Sequence, residues 1–174
     1  SDAGRITLIN AAIAAENDMA GASTGGLDQN ASMRCAPGHA LLLDCRPGLS
    51  ALESVSQQAF DLDKYGLELL VVDTQAPHQL NDGQYAQRRA TCEQAAAGLG
   101  VENLRVIADR VNAADNPEAA LADVLGKLDD DVERRRVRHV ITEIGRVGQF
   151  VDAFAAGDVK RAGELFNASH DSLR

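Results

Sequence analysis

The stretch Glu16-Asn17-Asp18-Met19-Ala20-Gly21-Ala22-Ser23-Thr24-Gly25-Gly26-Leu27-Asp28-Gln29 separates two kinds of pattern in the chain. Before it, Ile6, Ile9 and Ile13 recur at helical spacing and predict a helix over residues 3–20, with Asp2 placed to cap its start. Beyond it, after a short helical turn, comes His39-Ala40-Leu41-Leu42-Leu43-Asp44-Cys45, an apolar run of strand length. A helix that passes to a buried strand through a loop of small residues points to an α+β arrangement.

Further along, Leu67-Glu68-Leu69-Leu70-Val71-Val72-Asp73-Thr74 predicts another strand, and residues 50–59 could add one between the two. The fold expected is therefore two or three strands followed by a mostly helical second half. Asn81 or Asp82 can cap a helix carrying Tyr85, Cys92, Ala96 and Leu99, which Gly98 or Gly100 can end. Pro117 suits the first turn of a shorter helix reaching about Leu125. Val140, Ile144, Val147, Val151 and Phe154 follow at spacings of four and three. Gly157-Asp158 then makes a turn and a cap before a last helix with Ala162, Leu165, Phe166 and Leu173, giving an αα-hairpin. Helical pattern starts almost at residue 1 and still runs at Arg174, so the chain reads as an internal stretch of a longer protein.

The net charge of −9 opposes a phosphate backbone, and 3% aromatic content without Trp leaves few surfaces for stacking bases, which argues against nucleic-acid binding. No apolar run approaches the roughly 20 residues that cross a bilayer, and no signal-peptide pattern is present, so no membrane role is expected. Cys35, Cys45 and Cys92 are odd in number and lie in no CxxC spacing. They read as buried, reduced thiols of a cytoplasmic protein.

Glycine lacks a Cβ, so residues 21–29 let backbone approach a ligand closely. One acid, Asp28, ends the run Thr24-Gly25-Gly26-Leu27. Its carboxylate could accept a proton from a substrate hydroxyl, or it could cap a short helix in a plain helix-to-strand connection. No GxxxxGK[ST] phosphate loop occurs in the chain. His39, His78, His139 and His170 with the cysteines fit no common zinc spacing. Ser169, His170 and Asp171 are adjacent on a helix and so do not face one another as a triad would. Arg134, Arg135, Arg136 and Arg138, flanked by Asp129, Asp130, Asp131 and Glu133, read as a solvated helix face in preference to an anion site.

The stretch from Glu16 to Gln29 resembles the segment of galactokinases, members of the GHMP kinase superfamily, that ends in their catalytic aspartate. Four more segments resemble that family in the same order: 38–46, 85–93 (Tyr85-Ala86-Gln87-Arg88-Arg89-Ala90-Thr91-Cys92-Glu93), 138–143 and 169–174. The resemblance implies a GHMP kinase-like two-domain fold, with residues 1–63 ending the N-terminal domain and 64–174 opening the C-terminal one. It implies transfer of a phosphoryl group from ATP to α-D-galactose, with Mg²⁺ as the metal.

By the same resemblance, Asp28 matches the acid beside the anomeric hydroxyl and Gly25 a glycine whose backbone contacts the sugar. Tyr85 matches a tyrosine that holds galactose, and Glu16 the glutamate that helps hold Mg²⁺. The family's N-terminal sugar motif, its Gly/Ser-rich ATP loop and its glycine-rich C-terminal motif have no counterpart here, so the chain alone is expected to be inactive. Asn30 stands where relatives often carry an apolar or aromatic residue, and residues 47–63 match least well. An N-acetylgalactosamine kinase, or a non-catalytic homologue that senses galactose and ATP, would share these segments.

Overall fold

The computed structural model describes residues 2–21, 24–75 and 83–174, which gather into two compact units, Ser1–Gly83 and Gln84–Arg174. Among the described residues it is mostly helical, with seven α-helices and one two-stranded antiparallel sheet.

In the first unit, α1 (Asp2–Ala14) buries Ile9 and continues into a π-helical turn, Ala15–Met19, closed by the Ala20 N–H on the Ala15 carbonyl at 3.1 Å. The short helical turn expected after the glycine loop is a full helix, α2 (Leu27–Arg34). Strand β1 (His39–Leu43) lies where the apolar run predicts it, and β2 (Val55–Ala59) falls within the weaker stretch at 50–59. They pair from His39 opposite Ala59 to Leu43 opposite Val55, and Phe60 N–H on the Gly38 carbonyl extends the ladder at 2.9 Å.

Arg34 and Gln57 hold these pieces together. Gln57 Nε2 donates to the Arg34 carbonyl at 2.7 Å while its Oε1 accepts from the Ala36 N–H at 3.1 Å. The strand side chain thereby satisfies a carbonyl that the end of α2 leaves open. The Arg34 guanidinium donates to the Ala51 carbonyl at 2.6 Å and lies 3.8 Å from the Asp2 carboxylate, with its side chain only 8% exposed.

The strand predicted over residues 67–74 does not form. That segment runs without regular structure after a 3₁₀ turn at Asp63–Tyr65, and Leu69, Leu70, Val71 and Val72 are exposed. Apolar composition favours burial, but a strand also needs a neighbour for its N–H and C=O groups. In the described sheet β1 and β2 pair only with each other. Cys35 and Cys45 are likewise exposed where buried thiols are expected, and Cys92 is partly buried.

The second unit is helical throughout. It contains α3 (Gln84–Gly98), α4 (Leu104–Asn112), α5 (Pro117–Leu125), α6 (Asp131–Ala155) and α7 (Val159–Ser172). The proposed caps of α3, Asn81 and Asp82, lie outside the described residues. The other four helices start on side-chain caps: Asn103 accepts from Arg105 N–H, Asn116 from Ala119, Asp130 from Glu133 and Asp158 from Arg161. Each such cap is worth about 1 kcal/mol. Pro117 sits in the first turn of α5, and Gly157, at φ 76°, makes the turn that folds α7 back on α6 as an αα-hairpin.

One core cluster is built from Ala95 and Ala96 of α3, Leu104, Ile107, Ala108 and Val111 of α4, Leu121 and Leu125 of α5, Leu128, and Val137 and Ile141 of α6. The deepest residues of α6 are Val137 and Ile141, not the Val140–Phe154 series that the sequence emphasises, and Val147 of that series is exposed. A 25-residue helix that packs on several partners buries a stripe that turns with the 3.6-residue period rather than a single seam. Further along, Phe150 of α6 packs against Phe154 (5.9 Å between centroids) and Phe166 of α7 (4.6 Å).

Candidate functional site

The glycine loop and the π-helical turn meet through one hydrogen bond. Asn17, inside the turn, accepts from the Thr24 N–H at 2.9 Å, which ties the segment bearing Glu16 to the segment bearing Gly25 and Asp28. Thr24 Oγ1 then accepts from the Gly26 N–H at 3.3 Å, and Asn30 Nδ2 donates to the Gly26 carbonyl at 2.8 Å. Arg34 reaches Asn30 Oδ1 at 3.4 Å, so the loop is anchored through Asn30 to the same arginine that joins α1 and α2. Asn30 therefore has a local role here: it closes the turn that precedes Asp28.

Gly26 is required at its position for two reasons. Its φ is +80°, and a Cβ there would lie 2.5 Å from Ile13 Cδ1. The close approach lets α1 support the loop from below. Gly25, in contrast, is exposed and has nothing among the described residues within 4 Å of an added Cβ. Its backbone is accessible to a ligand.

Asp28 is exposed and sits in the first turn of α2, behind Gly26 as N-cap. The N-cap position belongs to Gly26 and not to Asp28. An acid is nevertheless favourable there, at the positive end of the helix dipole. Gln29 beside it is buried, and its Oε1 has no hydrogen-bond partner among the described residues. Glu16 is exposed in the π-helical turn, a rare local geometry that frequently occurs at functional sites.

Glu16, Gly25 and Asp28 thus belong to the first unit. Tyr85 belongs to the second, in the first turn of α3, where its side chain is 55% exposed. Among the described residues, no group of three or more His, Cys, Asp or Glu side chains is clustered to hold a metal. A Mg²⁺ ion does not require one, since it commonly takes one or two carboxylates and completes its shell with phosphate oxygens and water. The donor at Glu16 fits such a role. Among the described residues no helix is long and apolar enough to cross a membrane.

Arg34 and Gln57, which fix the loop's support, were not visible as functional candidates in the sequence. Their partners lie 17 to 23 residues away and follow no period. The Ser169, His170 and Asp171 run is not a triad in space either, since Ser169 is turned to Glu143 on α6 and His170 is exposed.

No family model matches the chain. Over 160 residues, 92% of its length, it is 45% identical to the galactokinase of Mycobacterium tuberculosis. It is 44% identical over 161 residues to that of Streptomyces coelicolor, and 35% identical over 176 aligned positions, 98% of the chain, to that of Mannheimia succiniciproducens. The chain spans 40%, 38% and 42% of these relatives, respectively.

Proposed function

We propose, from a chain that belongs by sequence to the galactokinase family, that the protein it represents transfers a phosphoryl group from ATP to the anomeric hydroxyl of α-D-galactose. The products are galactose 1-phosphate and ADP, and the reaction feeds galactose into central carbohydrate metabolism in the cytoplasm. The observation that carries this reading is the similarity over 92% of the chain, which includes the fixed loop ending in Asp28 and the turn bearing Glu16.

Phosphoryl transfer asks the protein mainly to position groups and to offset charge. Asp28, exposed at the end of a loop held on both sides, would orient the sugar's anomeric hydroxyl and accept its proton. The open backbone at Gly25 would let the sugar approach. Tyr85 would hold galactose through its hydroxyl. Glu16 would be the carboxylate donor to Mg²⁺ from this part of the protein, and Mg²⁺ bound there would neutralise phosphate oxygens. The same reading gives a GHMP kinase-like fold, with 1–63 as the end of its N-terminal domain and 64–174 as the start of its C-terminal domain. This assignment rests on the order of the motifs.

The test is an Asp28→Asn substitution in a full-length enzyme carrying this segment. Turnover should fall by about a hundredfold or more while galactose still binds. Near-normal turnover would remove Asp28 from the mechanism. Tyr85→Phe should chiefly raise KM for galactose. Assaying galactose and N-acetylgalactosamine side by side fixes the sugar, and absence of turnover with both would favour the sensing homologue.

A further inference from the structure

The helical unit contains a cavity of about 500 Å³ between α3, the start of α6 and the end of α7. Arg88 of α3 and Arg135, Arg136 and Arg138 of α6 line it together with His139, and Arg174 also reaches it. Asp171 is the only carboxylate side chain on its wall among the described residues. This concentration of positive charge stands in a protein whose net charge is −9, so the overall composition does not account for it.

Helical spacing explains how the groups converge. Arg135, Arg138 and His139 lie three and four residues apart and so share a face of α6, while Arg88 and Cys92 do the same on α3. Arg136 is fixed across the gap by donating to the Gln87 carbonyl at 3.2 Å and to the Thr91 hydroxyl, both on α3. The neighbouring arginines of α6 that point elsewhere are paired, Arg134 with Asp131 and Arg146 with Glu143. Arg135 and Arg138 have no carboxylate partner among the described residues. Like charges gathered in one cleft repel one another until an anion occupies it, and a cleft of one sign focuses its field on that anion. The His139 imidazole on the cavity wall is held below its ordinary range by burial first, then by Arg146, and only after these by Arg88 of the cavity.

We propose that this cavity is a binding site for a phosphate-class oxyanion, held by the guanidinium groups of Arg135, Arg136 and Arg138 with Arg88 opposite. Guanidinium matches phosphate because its forked N–H donors engage two oxygens at once. The site is independent of the kinase reading, since none of Glu16, Gly25, Asp28 or Tyr85 lines it.

Calorimetric titration of the 174-residue chain tests it, with inorganic phosphate, inorganic pyrophosphate and galactose 1-phosphate as separate probes and galactose as the uncharged control. Saturable binding of at least one phosphate probe, and none of galactose, is expected. The pattern across probes shows whether a free anion or a phosphate ester is the better ligand. An Arg135→Gln/Arg138→Gln variant should bind about tenfold or more weakly, while Arg110→Gln/Lys160→Gln, which removes the same charge from exposed positions off the cavity, should bind as the parent does. All four side chains are exposed, so circular dichroism should show both variants folded. Absence of saturable binding by all three phosphate probes, or equal weakening in both variants, would overturn the proposal.

Discussion

Ser169 of α7 donates a 2.7 Å hydrogen bond to Glu143 Oε2 of α6, joining residues 26 positions apart. The same carboxylate pairs with Arg146, one turn further along α6, and both side chains of that pair are largely buried. The αα-hairpin is therefore closed by a polar latch beside its apolar contacts. Ser169→Ala removes one hydrogen bond and should lower the stability of the helical unit by about 1 kcal/mol. Glu143→Ala leaves the Arg146 charge buried without its partner and should cost about 3 kcal/mol or more. Urea denaturation of the two variants checks the order; equal effects would show that the latch is not shared in this way.

Gly145 of α6 lies against Asn112 of α4, and a Cβ there would be 2.5 Å from Asn112 Oδ1. Replacing a glycine inside a helix by alanine ordinarily stabilises by about 1 kcal/mol. Here Gly145→Ala should instead destabilise by about 1–3 kcal/mol, because the Asn112 side chain, which donates to the Ile141 carbonyl, must give way. In an Asn112→Ala background the sign should reverse. A double-mutant cycle measured by thermal unfolding reports the coupling directly.

The two loop glycines should behave differently. Gly26→Ala meets both a positive φ and Ile13, and should destabilise the first unit by about 2 kcal/mol. Gly25→Ala meets no steric obstacle and should leave stability within about 0.5 kcal/mol. In a full-length galactokinase carrying this segment it should nonetheless raise KM for galactose, if the proposed sugar contact uses that open backbone. A Gly25→Ala enzyme of normal KM would argue against the contact.

His139 carries a pH signature. Its folded pKa is lowered, chiefly by burial and then by Arg146 and Arg88, while the Ser172 backbone acts in the other direction. From the ordinary value of 6.5 down to that lowered folded value, the unfolded chain holds the proton more readily than the folded one. The helical unit should therefore lose stability as pH falls below about 6.5. Comparing urea midpoints at neutral and mildly acidic pH, His139→Gln should show a smaller drop than the parent. An equal drop in both would assign the effect to other groups.

Much of the helical unit is legible residue by residue, because its signals are local. Pro117, Gly157 and Asp158 act within a turn of where they stand, and the structure uses all three as their chemistry suggests. In the candidate site, the tight turn before Asp28 was legible in its glycines, but which glycine packs and which stays open was not. That difference comes from Ile13, on another element. Asn30 likewise looked like a departure from pattern and is a hydrogen-bonding closure of the loop.

By itself, then, the sequence, which did not show α4 or the length of α2, determined the first helix, the start of α5 at Pro117, the turn between α6 and α7 at Gly157-Asp158, the strand at His39–Leu43, and the family to which the segment around Asp28 is similar. Those features depend on backbone conformation, capping and hydrophobic period over a few residues. Tertiary structure alone decided that Leu67–Thr74 forms no strand, that Val137 and Ile141 are the deepest part of α6, and that Arg34 and Gln57 secure the loop's support. It also decided that arginines which look like a solvated run close around a cavity with Arg88. Pairing, depth and charge convergence depend on which distant element lies opposite a residue, and no period within one segment carries that.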